Sequence, residues 1–471
     1  MSRDRVASDV ADMGSSQSVP PPSTFEGILV NPSCPQDRPA IVGTQTTTWG
    51  EFPRLIGRLE RECASLAGRR VGLMFRLSPT CLAALALLDR LGCDTFLIDA
   101  ALARDRATRL GVDLRLGALL AESGNRIVPL LEQVGLTGEL PGSGYSSVTI
   151  LTSGTTGLPK AARHTWASLS RPVRVGVGGT SPRWLMTFRP HLYAGLQVVL
   201  QCLRNCGTLV TPTPDMGPAA VADLMRLARV EYASATPSYW RRLLMFADPT
   251  VLGSVPFIQI TLGGEVVDQQ ILDALRRTFP RARIAHIYAT TEMGRCFSVT
   301  DGRSGFPARF LTEPTDDGVM LRIEDGELVV QSANAMEGYD LDGALVALAG
   351  PSYPSGDLVE VVDDRVYFIG RRTDVINVGG NKVRPIEVER VLRAVSGVAD
   401  VRVFGRRSSI AGELVACQVV PMSGVDTAWL KDTLVSFSLT QLSAYQRPRL
   451  IDFVPEIAME DSGKVSRKSA S

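Results

Sequence analysis

The sequence predicts an α/β protein. A large N-terminal domain of parallel-rich sheets with helices and a small β region precedes a small, mobile α+β C-terminal domain. Three observations predict it. Short apolar runs alternate with segments of helical period through the first 280 or so positions, the signature of strand–helix–strand units on a mostly parallel sheet. From about 318 to 370 the texture changes to short strands and turns. After "GRRTD" a helix, two strands and a second helix form a module of plausible domain size. At 471 residues, 45% of them apolar, the chain exceeds one ordinary core.

The elements follow in order. Residues 1–24 have mixed charge and a Ser/Pro cluster, with no apolar core of a signal peptide, and are expected to be a disordered tail. "RPAIVGTQTTTWGEF" reads as two short strands and a turn leading into a helix from about Glu51 to Leu66. "RRVGLMFRL" is a buried strand, "SPTCLAALALLDRLG" a helix opened by Ser-Pro, and "DTFLIDA" the next strand. "SSVTILT" reads as a strand, "QVVLQCLRNCG" as a helix and "TLVTPTP" as a strand. "PAAVADLMRLARV", "YASATP", "FIQITLGG" and "DQQILDALRRTFP" continue as helix, strand, strand and helix. "VMLRIEDGELVVQS" and "DLVEVVDDRVYFIG" read as short strands and turns of a smaller β region. The predicted boundaries are 25–370 for the N-terminal domain, 371–374 for a hinge and 375–471 for the C-terminal domain.

Charge is balanced, 50 Lys+Arg against 49 Asp+Glu, which points away from a nucleic-acid surface. No apolar run is long enough to span a membrane. The eight cysteines are scattered, without Cys-x-x-Cys or zinc-site spacing, and are expected to be buried thiols in a reducing cytoplasm. Lysine is scarce, 5 against 45 arginines. Three of the five, Lys160, Lys382 and Lys464, lie in or beside glycine motifs, where a compact ammonium and a planar guanidinium are not interchangeable.

Five motifs carry candidate chemistry. In "TSGTTGLPK" the hydroxyls of Thr152, Ser153, Thr155 and Thr156 alternate with Gly154 and Gly157 and end at Lys160, a composition that suits an anion nest and equally a turn or linker. Pro159 before the lysine, with no Ser/Thr after it, separates this loop from that of P-loop NTPases. In "HIYATTEMG" an apolar strand ends in Thr290, Thr291 and Glu292, suited to phosphate and a phosphate-bound Mg2+, or to a helix start. "SGDLVE" presents Asp357, a ribose acceptor or a turn residue. The glycines of "GRRTDVINVGGNKVRP" suit a hinge or a close backbone approach to a ligand, and "MEDSGKVSR" is a polar loop presenting Lys464 near the end, or a frayed tail.

In this order the five motifs resemble the adenylate-forming superfamily of acyl-CoA synthetases, adenylation domains and luciferases, over roughly residues 25–471. The resemblance implies the following roles. The loop 152–160 wraps the β,γ-phosphates of ATP. Tyr288 lies against adenine, with Gly263, Gly264 and Glu265 of "LGGE" lining the base pocket. Thr291 contacts the α-phosphate and Glu292 helps hold Mg2+. Asp357 binds the ribose, helped by Arg371. Asp374 is the hinge. Lys464 bridges carboxylate and α-phosphate, and the face with Gly379, Gly380 and Lys382 admits the thiol. Ala289 stands where the family usually has Gly, and Asn377 where many relatives have Lys.

The segment "LMTFRPHLYAGLQVVLQ" matches the family's acid wall. It has no Asp or Glu from 185 to 214, so an α-ammonium would lack a partner there. An aryl or acyl acid is expected, with His191, Tyr193, Gly195, Gly263, Ala289 and Thr290 about it; Tyr239 and Trp240 are either wall or core. The implied reaction is ATP-dependent adenylation followed by thioester formation with coenzyme A. Loading of a free-standing carrier protein, direct amide formation, and a relative that only uses a supplied acyl-adenylate are the alternatives.

Overall fold

The computed structural model describes residues 24–132, 146–152, 159–176, 181–408 and 412–457. Two compact units emerge. One takes the chain up to Trp184 together with Gly195–Thr211 and Met336–Val346; the other takes Leu185–Ala194, Pro212–Ala335 and the chain from Ala347 on.

The first unit is built on a sheet whose parallel centre is Asp94–Asp99, Arg70–Phe75 and Ala118–Ser123, flanked by Ser147–Thr152. Strand Arg70–Phe75 is buried along its whole length, as a parallel strand covered on both faces must be. The helix Pro79–Arg90 is capped by Ser78, which accepts from Cys81 N–H at 3.1 Å, and carries Pro79 in its first turn. Lys160–His164 pairs antiparallel with Ser147–Thr152, and Gly338–Leu341 returns from far along the chain to pair with it in turn. Beneath this return, Arg70 donates to Asp340 at 2.6 and 3.1 Å, with Asp94 3.6 Å away, so the buried cation has two carboxylates about it.

Contrary to the expectation of eight thiols, Cys34 and Cys206 form a disulfide within this unit. Sequence gives no spacing signal for a pair 172 residues apart; both lie where short turns meet. Cys63, Cys81, Cys93, Cys202, Cys296 and Cys417 are free and buried, and burial pushes the Cys63 and Cys81 thiols up to about 11.

The second unit holds three parts. Tyr232–Ala235, Gln259–Leu262 and Arg283–Thr290 run parallel, with Gly294–Val299 antiparallel at the edge. A five-stranded antiparallel sheet follows in the order Phe306–Pro307, Arg365–Arg371, Ser352–Val362, Glu327–Gln331, Met320–Glu324. Its core includes Phe297, Phe306, Phe310 and Val366, with Tyr288 packed against it. The third part places helices Pro385–Arg393 and Thr427–Gln441 on strands Val398–Ser408 and Gly412–Pro421, around a core of its own that includes Val388, Leu392, Val403, Val419 and Leu434. Trp240 belongs to the packing of the unit: it is fully buried, edge-on to Phe257 and Phe279, and its indole N–H reaches Thr261 carbonyl at 3.3 Å.

Candidate functional site

Strand Arg283–Thr290 ends in a tight turn, not in a helix, and the chain reverses into Gly294–Val299 with Thr290 opposite Gly294. Thr290 Oγ1 closes the turn by accepting from Met293 N–H at 3.0 Å. Thr291 and Glu292 therefore sit at the tip, both half-buried. A register shift between Tyr288 and Ala289 re-aims the last residues of the strand.

Two residues before Thr290 on the same strand, the Tyr288 ring lies between Phe297 and Phe368, with centroids at 5.4 and 4.8 Å. Its hydroxyl donates to Asp357 Oδ2 at 2.7 Å, and Arg371 Nε donates to Asp357 Oδ1 at 2.9 Å. Strands Ser352–Val362 and Arg365–Arg371 place Asp357 directly opposite Arg371. The sequence thus marked three residues from three motifs that the fold joins in one cluster. Burial, and then the Asp357 charge, push the Tyr288 phenol well up, so it stays a donor. Asp357 is buried, while Arg371 is about half exposed and its guanidinium is raised by Asp357.

Gly263 and Gly264 follow strand Gln259–Leu262, and Glu265 turns back onto helix Pro237–Phe246. Its carboxylate accepts from Ser238 N–H at 3.1 Å and Ser238 hydroxyl at 2.7 Å. A carboxylate at the helix's first turn is favoured by the unpaired N–H groups there. Ser238 went unmarked in the sequence, although Thr-Pro-Ser before an apolar helix is a start signal.

In the first unit, Thr152 and Lys160 face each other at the mouth of a hairpin, and Thr152 Oγ1 donates to Lys160 carbonyl at 3.4 Å. Lys160 is exposed, with Nζ 5.4 Å from the Tyr339 ring centroid. Ser153, Gly154, Thr155, Thr156 and Gly157 lie outside the described residues, as does Lys464. His191 and Tyr193 are buried, and Gly195 is a buried member of helix Tyr193–Arg204. His286 Nε2 donates to the Arg303 carbonyl at 3.0 Å, and burial lowers the pKa of its imidazole. Gly379 and Gly380, at φ +55° and +88°, make the turn between Ile376–Val378 and Asn381–Val383, with Lys382 opposite Asn377. Asp374 ends a short 3-10 turn.

Among the described residues, no three acidic, His or Cys side chains group into a metal cage. A single carboxylate such as Glu292 fits an ion of the Mg2+ kind that is otherwise held by phosphates and water. No helix among the described residues is long and apolar enough to cross a membrane.

The AMP-binding enzyme family model matches residues 143–340, and the AMP-binding enzyme C-terminal domain model matches 387–464. Curated relatives include 4-coumarate–CoA ligase 3 of Arabidopsis thaliana, 27% identical over 350 residues, covering 67% of this chain and 61% of the relative. 4-coumarate–CoA ligase 2 of Oryza sativa subsp. japonica is 28% identical over 348 residues, with 67% and 60% covered. The chain thus spans about three fifths of the length of the curated relatives it matches. Among solved structures, an anthranilate CoA ligase in complex with anthranoyl-AMP superposes with a TM-score of 0.74 at 16% identity, covering 94% of this chain and 95% of that one. The o-succinylbenzoate CoA synthetase of Bacillus subtilis, in complex with its acyl-adenylate intermediate, gives 0.70 at 19% identity, with 95% and 97% covered. At these identities the superpositions establish the fold.

Proposed function

Because the chain belongs to the adenylate-forming family of AMP-binding enzymes, whose two models together span more than half of it, we propose that it is an AMP-forming acid–thiol ligase. It joins an aryl or acyl carboxylic acid to AMP with release of pyrophosphate from ATP, then passes the acyl group to coenzyme A. The observation that carries this reading is the Tyr288–Asp357–Arg371 cluster, a buried carboxylate fixed by a phenol and a guanidinium at 2.7 and 2.9 Å, in which Tyr288 lies on the strand that also leads to Thr291 and Glu292.

In this reading Asp357 receives the ribose hydroxyls, and Tyr288 and Glu265 border the base. The loop 152–160 takes the phosphates of ATP, with Lys160 as a point charge. Thr291 donates to the α-phosphate. Glu292 holds Mg2+, which supplies charge neutralisation where two anions must meet. Lys464 adds a cation between the acid and the α-phosphate. His191, Ala289 and Thr290 border the acid, and the absence of a carboxylate from 185 to 214 argues against an α-amino acid. Asp374 is the hinge between domains at 25–370 and 375–471, and the face with Gly379, Gly380 and Lys382 admits the thiol. A cytoplasmic setting belongs to the same reading.

The test is a panel of 4-coumarate, anthranilate, o-succinylbenzoate, benzoate and octanoate with ATP and Mg2+. The scores are acyl-AMP, and thioester with coenzyme A or a phosphopantetheinylated carrier protein, by mass spectrometry. At least one aryl or acyl acid is expected to give both acyl-AMP and acyl-CoA. If synthetic acyl-adenylates give CoA esters while no acid is adenylated, the two-step reading falls to the half-reaction one.

A further inference from the structure

The turn that carries Thr291 and Glu292 is gripped at its exit. Gly294 adopts φ +71°, a conformation that disfavours any side chain. A Cβ built there would lie 2.7 Å from Asn334 Cβ, 3.0 Å from Asn334 carbonyl oxygen and 3.1 Å from the Tyr193 hydroxyl. The backbone of Gly294 is therefore enclosed by residues from two distant segments. Tyr193 opens helix Tyr193–Arg204, and Asn334 follows strand Glu327–Gln331. Both are buried, at 6% and 2% exposure.

The enclosure is itself braced. Asn334 Nδ2 donates to Arg295 carbonyl at 3.3 Å, one residue beyond Gly294. The Arg295 side chain makes a two-pronged pair with Asp317 at 3.0 and 2.6 Å. Asn334 is fixed in turn by its own backbone N–H, which donates to Ser332 Oγ at 3.0 Å. At the other end of the turn, Thr290 receives the Met293 N–H. A turn with both ends held this way presents its tip residues in one orientation, as a preorganised charge-stabilising site requires.

We propose that Tyr193 and Asn334 are positioning residues for the adenylation step. By gripping Gly294 they fix the turn, and so hold Thr291 and Glu292 where the α-phosphate and its metal ion arrive. This rests on the reaction reading above. It gives Tyr193 a task other than lining an acid pocket, and it singles out Asn334, which no sequence motif marks.

The experiment compares the wild type with Gly294→Ala, Asn334→Ala and Tyr193→Phe. Amide hydrogen exchange is followed across 288–296. Acid-dependent pyrophosphate exchange is measured with the best acid of the panel, and thiol transfer from the matching synthetic acyl-adenylate to coenzyme A is measured separately. Gly294→Ala and Asn334→Ala are expected to speed exchange at Met293 and Gly294 at least tenfold, with strand Arg70–Phe75 unchanged. Pyrophosphate exchange should fall at least tenfold while thiol transfer stays within threefold. Tyr193→Phe, which keeps the ring and loses only the hydroxyl contact, should speed amide exchange at the turn and lower pyrophosphate exchange by about threefold to tenfold, with thiol transfer unchanged; a Tyr193→Phe protein identical to the wild type in amide exchange and pyrophosphate exchange removes Tyr193 from the grip. Unchanged amide exchange at the turn, or equal loss of both half-reactions, overturns the proposal. A wild type that adenylates no acid overturns the reaction reading instead, and the amide exchange then still decides whether the grip exists.

Discussion

Arg393 donates from Nη1 to Asp268 Oδ2 at 3.4 Å, tying the helix Pro385–Arg393 to the start of the helix Gln269–Thr278. Asp268 also caps that helix, accepting from Ile271 N–H at 3.1 Å, and takes a second guanidinium from Arg241. Arg393 reaches on to Asp400 and to Val401 carbonyl at 3.3 and 3.1 Å. Arg241 and Arg393 are only 12% and 15% exposed, so removal of Asp268 takes the paired carboxylate from Arg241 and leaves two poorly solvated cations with Asp400 beside Arg393. Asp268→Ala is expected to cost about 3 kcal/mol of stability, the usual scale for orphaning a buried charge. If residues 371–374 are the hinge, trypsin should also cut at Arg371 and Arg372 severalfold faster in Asp268→Ala, because the tie between the flanking parts is gone. An unchanged melting temperature and cleavage rate would show that the cluster holds nothing.

The same pair predicts a pH dependence. Burial raises the Asp268 carboxyl, but Arg241 and Arg393 together outweigh it, and the net shift is downward. A carboxyl depressed in the folded state contributes stability that is complete above its unfolded value of about 4 and is lost as pH falls through the folded value. The stability gap between wild type and Asp268→Asn should therefore be widest near neutrality and close below about pH 4. Urea titrations at several pH values measure it, and a gap that widens on acidification would contradict the assignment.

Tyr288 and Asp357 make a narrower prediction about the nucleotide. Their 2.7 Å bond holds one carboxylate oxygen in place, so Tyr288→Phe loosens the acceptor without removing it. A loss of about 1 kcal/mol, typical of one hydrogen bond, corresponds to roughly a fivefold rise in KM for ATP with kcat little changed. Asp357→Ala should raise it much further. Steady-state kinetics with ATP varied will distinguish the two, and a Tyr288→Phe effect on kcat alone would place the tyrosine elsewhere in the cycle.

Much of the fold was legible because its signals are local. Ser78-Pro79 announced one helix and Asp268 another, and the apolar run from Val71 to Phe75 announced a buried strand. What stayed hidden depends on chain return. Nothing near 338–341 says that it pairs with Lys160–His164, or that Asp340 will meet Arg70, because partners so far apart are chosen by packing. The antiparallel pair Ala118–Ser123 and Arg126–Glu132 was passed over, although Gly124 marks its turn. At the site, Tyr288, Asp357 and Arg371 stood out by motif, whereas Asn334 and Ser238 had only ordinary turn and cap composition around them.

The Cys34–Cys206 bond predicts a thiol count. Denatured without reductant, the protein should titrate six thiols, and with reductant eight. The bond closes a loop of more than 170 residues, for which chain entropy gives an upper figure of about 5 kcal/mol, although measured values centre on 2–4. Reduction, or the double change Cys34→Ala with Cys206→Ala, should therefore lower the melting temperature by several degrees. Eight titratable thiols without reductant would place the pair in the reduced state.

Lys464 gives the sharpest separation between the two halves of the proposed reaction. Carboxylate and α-phosphate are both anionic, and a cation aimed between them matters most while the new bond forms. Once the acyl-adenylate exists, that repulsion is gone and the remaining step is attack by a thiolate on a mixed anhydride, in which AMP is the leaving group. Lys464→Ala should then lower acid-dependent pyrophosphate exchange by at least a hundredfold, about 2.7 kcal/mol of transition-state stabilisation. Thiol transfer from a supplied acyl-adenylate should change less than threefold. Lys464→Arg should restore little, because a planar guanidinium does not replace a compact ammonium in a crowded phosphate site. Equal loss in both half-reactions would remove the lysine from the adenylation step.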